Sequence, residues 1–221
     1  MPMVLMLVLK PLYQRGLAGG TTQVTTGPLV IFSTLALSIV GNSMLAERGW
    51  HTWDRLRSTR ASTLELLLGK TLPVYAVLVL QQTILLCYGI EVIGARPHGA
   101  GAYGLLAGAV AVWSATLLAV GTALAATVRS HGELSAACDI GALTLTTLGG
   151  AFVPAAMFPS WLQPAAVASP GYWALALLRA AMQGDATRTL VPAGVLLAIG
   201  AAAGVLAYRR LAHGWGRATM I

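Results

Sequence analysis

Runs of about twenty apolar residues recur along this chain. Each is close to the length that carries an α-helix across roughly 30 Å of hydrocarbon at about 1.5 Å per residue. Residues 28–46 read as the first full span, which ends at Glu47-Arg48 and gives way to the polar, charged stretch 47–63. Residues 72–93 form the second span and 103–128 the third. Ser130 and Glu133 match the Ser-x-x-Glu capping box, so a new helix starts there and runs as the fourth span over 133–152. The fifth covers 190–208. Residues 1–9 are apolar but too short to span, and Lys10-Pro11 and the polar, Gly-rich stretch 14–26 follow them. They resemble the last half of a membrane helix whose beginning lies outside the sequence; a short surface anchor is the alternative. The expected fold is all-α: a polytopic membrane helix bundle with five full transmembrane helices plus a partial N-terminal one. It forms a single transmembrane domain over residues 1–221.

The fourth run leaves the apolar pattern in an unusual way. Gly149-Gly150-Ala151-Phe152-Val153-Pro154 is followed by Phe158-Pro159, Trp161-Leu162 and Ser169-Pro170-Gly171-Tyr172-Trp173. Pro154, Pro159, Pro164 and Pro170 fall within seventeen residues and cannot continue a helix, because proline lacks the amide donor and clashes with the preceding turn. The stretch nevertheless stays apolar and carries two tryptophans, which favour the membrane–water boundary. It reads as a re-entrant outer-face element over residues 153–189, with short helices around 160–168 and 173–183, buried against protein or interface. Gly149 and Gly150 give the end of the preceding helix room to bend or to pack closely.

Composition agrees: 57% of residues are hydrophobic and 10% charged, against about 25% charged in a soluble domain. The length leaves no room for a separate soluble catalytic domain. The net charge of +7 is better explained by positive-inside loops than by a nucleic-acid partner, and none is expected. Alternating the spans puts Arg48, Arg55, Arg57, Arg60, Lys70, Arg129, Arg209, Arg210 and Arg217 on one side and Lys10, Arg15, Arg96, Arg179 and Arg188 on the other. The first, richer set marks the cytoplasmic face, so the C-terminus is expected inside a bacterial inner membrane. Trp113 is the one tryptophan that falls in mid-span. Cys87 and Cys138 lie in apolar runs and read as small packing residues.

Few residues offer chemistry. In the inner segment Glu47–Arg60, Trp50, Trp53, Leu56 and Leu64 share one helical face, while Asp54, Arg55 and Arg57 lie largely off it. That pattern describes an amphipathic helix in the inner interface. It serves either as a lipid-surface helix or as a docking helix for a cytosolic motor. Gly69-Lys70-Thr71 matches the end of a phosphate-binding loop, but Leu64 stands where that loop needs glycine and no strand precedes it, which excludes nucleotide binding there. Asp139 lies about six residues into the fourth span, near enough to the inner boundary to reach water or Arg129. Asn42, Gln81 and Gln82 are uncharged and suit helix–helix contacts. Gly104-x-x-x-Gly108 and Gly200-x-x-x-Gly204 permit close helix approach. There is no Ser/His/Asp set and no His-rich metal spacing.

Three stretches together resemble the membrane subunit of type-2 ABC exporters of the bacterial drug-resistance and polysaccharide-export class. They are Glu47-Arg48 with the following helix and Gly69-Lys70; Gly149-Gly150 with Pro154, Pro159 and Ser169-Pro170; and the closing span with Arg209-Arg210 at its inner end. The resemblance implies a six-span permease that exports a hydrophobic or amphipathic compound. It pairs as a homodimer or heterodimer with a second permease and is driven by a separate cytosolic ABC ATPase. ATP and Mg would sit on that partner, and no cofactor on this chain. It further implies ATPase docking through Glu47, Arg48, Trp53, Arg55, Leu56 and Arg57, an outer gate around Gly149, Gly150, Pro154, Pro159 and Pro170, and a pathway past Asn42 and Asp139. The usual amphipathic helix before the first span is missing, and His51-Thr52-Trp53 replaces a Gly-Thr-Leu-Glu-like run. A proton-coupled secondary transporter or a non-transporting membrane anchor for a cytosolic protein are the competing functions.

Overall fold

The computed structural model describes residues 1–16, 19–49, 63–128 and 130–212, and every regular element within them is helical. In chain order these are α1 (Pro2–Gly16), α2 (Gly20–Leu35), α3 (Leu37–Gly49) and α4 (Thr63–Tyr88), which runs on into a π-helical turn, Gly89–Ile93. Next come α5 (Gly101–Thr127), α6 (His131–Leu148), a 3-10 turn at Ala155–Met157, α7 (Gln163–Ala168), α8 (Pro170–Met182) and α9 (Ala186–Ala212). Helix α5 is central and packs on α9, α3, α8 and α4.

The bundle has two distinct ends. At the cap end, Lys10 Nζ donates to Val92 O at 3.1 Å, the Tyr13 hydroxyl to Phe152 O, and His98 N to Met182 O at 2.9 Å. At the base end, α3 meets the start of α6, where His131 Nδ1 lies 2.8 Å from Asn42 Oδ1 and Gly41 faces Leu134.

Four helical stretches are long and apolar enough to cross a membrane: Gly20–Asn42, Leu68–Ile93, Gly101–Thr127 and Ala186–Leu211. The second, third and fifth expected spans are therefore met, with their ends shifted by a few residues. The fourth is a helix, but α6 stops at Leu148 and contains Glu133 and Asp139, so it falls short of that standard of apolarity. Its start is as expected, since Ser130 Oγ accepts from Glu133 N at 3.2 Å. At the N-terminus, α1 continues through Pro11 to Gly16, about 22 Å at 1.5 Å per residue.

The first span differs most from expectation. It begins at Gly20 and includes the polar residues before Pro28. Those residues are buried because their polar groups are satisfied internally. Thr25 and Thr26 donate to Thr21 O and Thr22 O at 3.0 and 2.8 Å, and Gln23 bonds the cap loop. Gly20 and Gly27 leave no room for a Cβ against Tyr13 O and Ala151 O, so glycine here permits close backbone packing. The span is also broken at Ala36, where the expected pattern was continuous. Ser33 and Thr34 both donate to Val30 O, at 3.0 and 2.6 Å, and Ser38 to Leu35 O at 3.0 Å. Hydroxyls that compete for helix carbonyls in this way loosen and bend a helix. Trp113, 2% exposed, braces the break with an Nε1–H bond to Ser33 Oγ at 2.8 Å.

Trp113→Phe removes that bond and leaves part of the buried indole volume empty, while Ser33 keeps its own donation to Val30. The expected cost is about 2–3 kcal/mol for the bond and the cavity together, seen as a lower thermal unfolding midpoint of the purified protein.

Candidate functional site

The end of α6 shows why two adjacent glycines stand there. Gly150 has φ +94°, and the turn around it is a left-handed helix cap. Gly150 N bonds Thr147 O at 3.1 Å and Ala151 N reaches back to Thr146 O at 3.1 Å. Gly149 serves a different purpose: a Cβ there would lie 2.5 Å from Tyr172 N, so α6 and α8 meet backbone to backbone. Gly171 makes the reciprocal approach to Leu145 and Thr146. Of the two roles left open for the pair, bending and close packing, Gly149 takes the second, and Gly150 adds a helix cap that was not expected.

The prolines also have local tasks. Pro154 precedes the 3-10 turn, and Pro159 O accepts from Leu162 N at 2.9 Å ahead of α7. Pro170 opens α8 in the first-turn position proline tolerates, behind the N-cap Ser169, whose hydroxyl accepts from Gly171 N at 3.1 Å. The same hydroxyl donates to Leu145 O at 2.5 Å and ties α8 to α6. Helix α8 buries Ala174, Leu175, Leu178 and Ala181 and packs on α9, α5, α2 and α6. The expected second helix of the outer element therefore lies inside the bundle. It ends at Met182 with another left-handed glycine, Gly184, and α9 restarts at Ala186, three residues before the element was expected to close. Trp173 bonds Val167 O at 2.9 Å, while Trp161 is 75% exposed.

Sequence reasoning missed the polar centre of the cap. Gln23 on α2 is 5% exposed, and its Nε2 donates to Gly150 O and Ala151 O, both at 3.0 Å. Its Oε1 accepts from Arg179 Nη2, and that guanidinium also reaches Gly150 O at 3.4 Å. Both faces of the Gln23 amide are thus engaged. Burial lowers the Arg179 pKa from its ordinary value, with Tyr172 opposing, but a guanidinium keeps its charge in proteins. Its cation lies against the carbonyl-rich C-terminal end of α6, where the helix dipole favours positive charge. A single arginine inside the apolar run 173–182 was the available signal.

The pathway candidates are not brought together. Asn42 pairs with His131 at the base end. Asp139 is eight residues further along α6, about 12 Å. The buried stripe of α6 is Leu134, Cys138, Ala142 and Thr146; Asp139 stands off it on an exposed face with Ile140, Leu143 and Thr147. Exposed Ile39 lies on the adjacent α3. Between α5, α6 and the break in the first span is a cavity of about 190 Å³, lined by Thr34, Trp113, Thr116, Cys138 and Thr146 among others. The three threonine hydroxyls donate to Val30, Val112 and Ala142 carbonyls of their own helices, so they present little free polarity. Of the docking residues, Glu47 and Arg48 close α3, whereas Trp53, Arg55, Leu56 and Arg57 lie outside the described residues.

Long apolar helices closed at one end by a helical cap define a multi-pass membrane protein. The chain belongs to the ABC-2 type transporter family, whose sequence profile matches residues 1–183. It is an ABC transporter permease, a transport subunit rather than a catalytic one, and its family implies association with an ABC ATPase. Comparison with curated proteins finds no match.

Close packing and capping make distinct demands on substitution. Gly149→Ala, which drives a methyl into the Tyr172 backbone, is expected to cost about 1–3 kcal/mol. Gly150→Ala should cost roughly 1–2 kcal/mol through its left-handed backbone. Gly194→Ala, in open space on α9, should be neutral or mildly stabilising. Thermal unfolding of the three purified variants checks this order.

Proposed function

We propose that this permease exports a hydrophobic or amphipathic compound, such as a drug, lipid or lipid-linked glycan, with ATP and Mg handled by a separate cytosolic ATPase. The observation that carries the reading is the exposed face of α6 with Asp139 and Thr147, together with exposed Ile39 on α3, which packs on α6. A carboxylate is costly against lipid, so a face bearing one calls for cover. A second permease copy, identical or homologous, would supply it and enclose a pathway along α3 and α6. The base end would face the cytoplasm, with 47–63 docked on the ATPase, and the cap would close the outward end. Apart from its ATPase, its second permease and the lipid bilayer, the chain needs no partner in this scheme.

Co-reconstitution with the partner ATPase tests the reading. Arg55→Glu with Arg57→Glu should leave insertion intact while lowering ATP-driven transport at least tenfold. Normal transport and normal ATPase recruitment in that variant would overturn the docking role. A second reading, proton-coupled transport, draws on Asp139 alone. The exporter reading expects Asp139→Asn to retain most ATP-driven transport at every pH. A pH-dependent loss in that variant would favour the proton-coupled reading.

A further inference from the structure

We propose that Gln23 and Arg179 form a releasable latch that holds the outer cap shut; this rests on the exporter reading above. The contacts of the cap fall into two kinds. Towards α6, the cap is held largely through backbone. Gly149 abuts the Tyr172 backbone, Gly171 abuts Leu145 and Thr146, and Ser169 Oγ bonds Leu145 O. These contacts offer little side-chain freedom, so the end of α6, the loop after it and α8 move as one body.

Towards α2, the attachment is different. Gln23 bonds Gly150 O and Ala151 O, and Arg179 bonds Gln23. Tyr13 of α1 adds its hydroxyl on Phe152 O. These are side-chain hydrogen bonds, which rotamer changes can break and remake without refolding either helix. Beside these bonds Gly27 packs backbone to backbone against Ala151 O, as Gly149 does against Tyr172.

The chemistry of the pair suits repeated opening. A buried arginine opposite a carboxylate would make a charge pair that is expensive to separate. Opposite an amide it makes hydrogen bonds to neutral acceptors, which are weaker than those between two ions. Arg179 is held in the closed state by Gln23 Oε1 and Gly150 O together; when the loop leaves α2 the bond to Gln23 is lost, while Gly150 O travels with Arg179. Gln23 and Arg179 are thus positioning residues for the gate.

The test separates a latch from a static staple by whether the joint opens during ATP turnover. In a Cys87→Ser, Cys138→Ala background, Ala151→Cys is a buried reporter beside the latch. Its labelling by an impermeant thiol reagent is followed in both right-side-out and inverted vesicles, so either orientation is read. Arg179→Gln or Gln23→Leu should speed labelling at least fivefold, with Arg179→Lys intermediate. In the parent, ATP turnover by the partner ATPase should speed labelling at least fivefold. A labelling rate indifferent to all three variants overturns the latch. So does a parental rate that ATP turnover leaves unchanged, which marks a static staple. If Gln23→Leu fails to insert, the Arg179→Gln labelling rate still decides. If the parent shows no ATP-driven export, the exporter reading falls, whereas the labelling rates still report whether the pair controls the loop.

Discussion

Hydrocarbon offers no hydrogen bonds, and the rest of this structure follows from that constraint. Every polar group inside the bundle has to find its partner within protein. Thr25, Thr26, Thr34, Thr116 and Thr146 meet it locally by donating to carbonyls one helical turn back. Trp113 meets it across helices through Ser33, and Gln82 through Ser114 at 2.8 Å. Gln23 meets it on both sides of its amide. Among the described residues, Gln82 Oε1 is the one buried side-chain atom that finds no protein partner. Polar residues are therefore not spread through the apolar helices at random; they join one helix to another or loosen the helix they belong to.

The same constraint governs the irregular backbone. Helix ends inside the bundle carry unsatisfied carbonyls, and the cap disposes of them with left-handed glycines at 150 and 184. Once Gly150 has turned the chain, its own carbonyl and that of Ala151 point to Gln23 and Arg179. Buried side-chain donors are thus required because the loop is buried. A lipid-facing loop would have no such donors, and a solvated one would not need them.

Legibility from sequence followed the same division. Apolar runs located α4, α5 and α9, and the capping box located the start of α6, because those signals are local. The beginning of the first span was hidden, since Thr21, Thr22, Gln23, Thr25 and Thr26 look like a polar linker until their partners are known. The break at Ala36 was hidden for a related reason: Ser33, Thr34 and Ser38 are common in membrane helices, and only geometry shows them bonding backward. At the cap, prolines and glycines announced an interrupted element. Their individual tasks depend on Tyr172, Leu145 and Ala151, which are distant from one another in sequence or lack chemical character of their own. Arg179 was counted as one of several basic residues; its special status comes from burial, which charge alone does not reveal.

The break and the latch acquire a common logic when the two ends of the bundle are traced through its helices. Helix α6 runs without interruption from its contact with Asn42 at the base to its contact with Gly171 at the cap. A displacement at the base is therefore carried along α6 as along a rod, and α8 moves with it. The first span has no such continuity. Its α3 half packs on α5 and α6 near the base, while its α2 half packs on α1, α4, α6 and α8. Both halves therefore lie along α6, and the turn residue Ala36 joins them. At the cap, α2 adds to that packing the bonds of Gln23 to Gly150 O, Ala151 O and Arg179. Because those bonds involve neutral acceptors, they are the part of the seam that can be broken and remade without separating a charge pair.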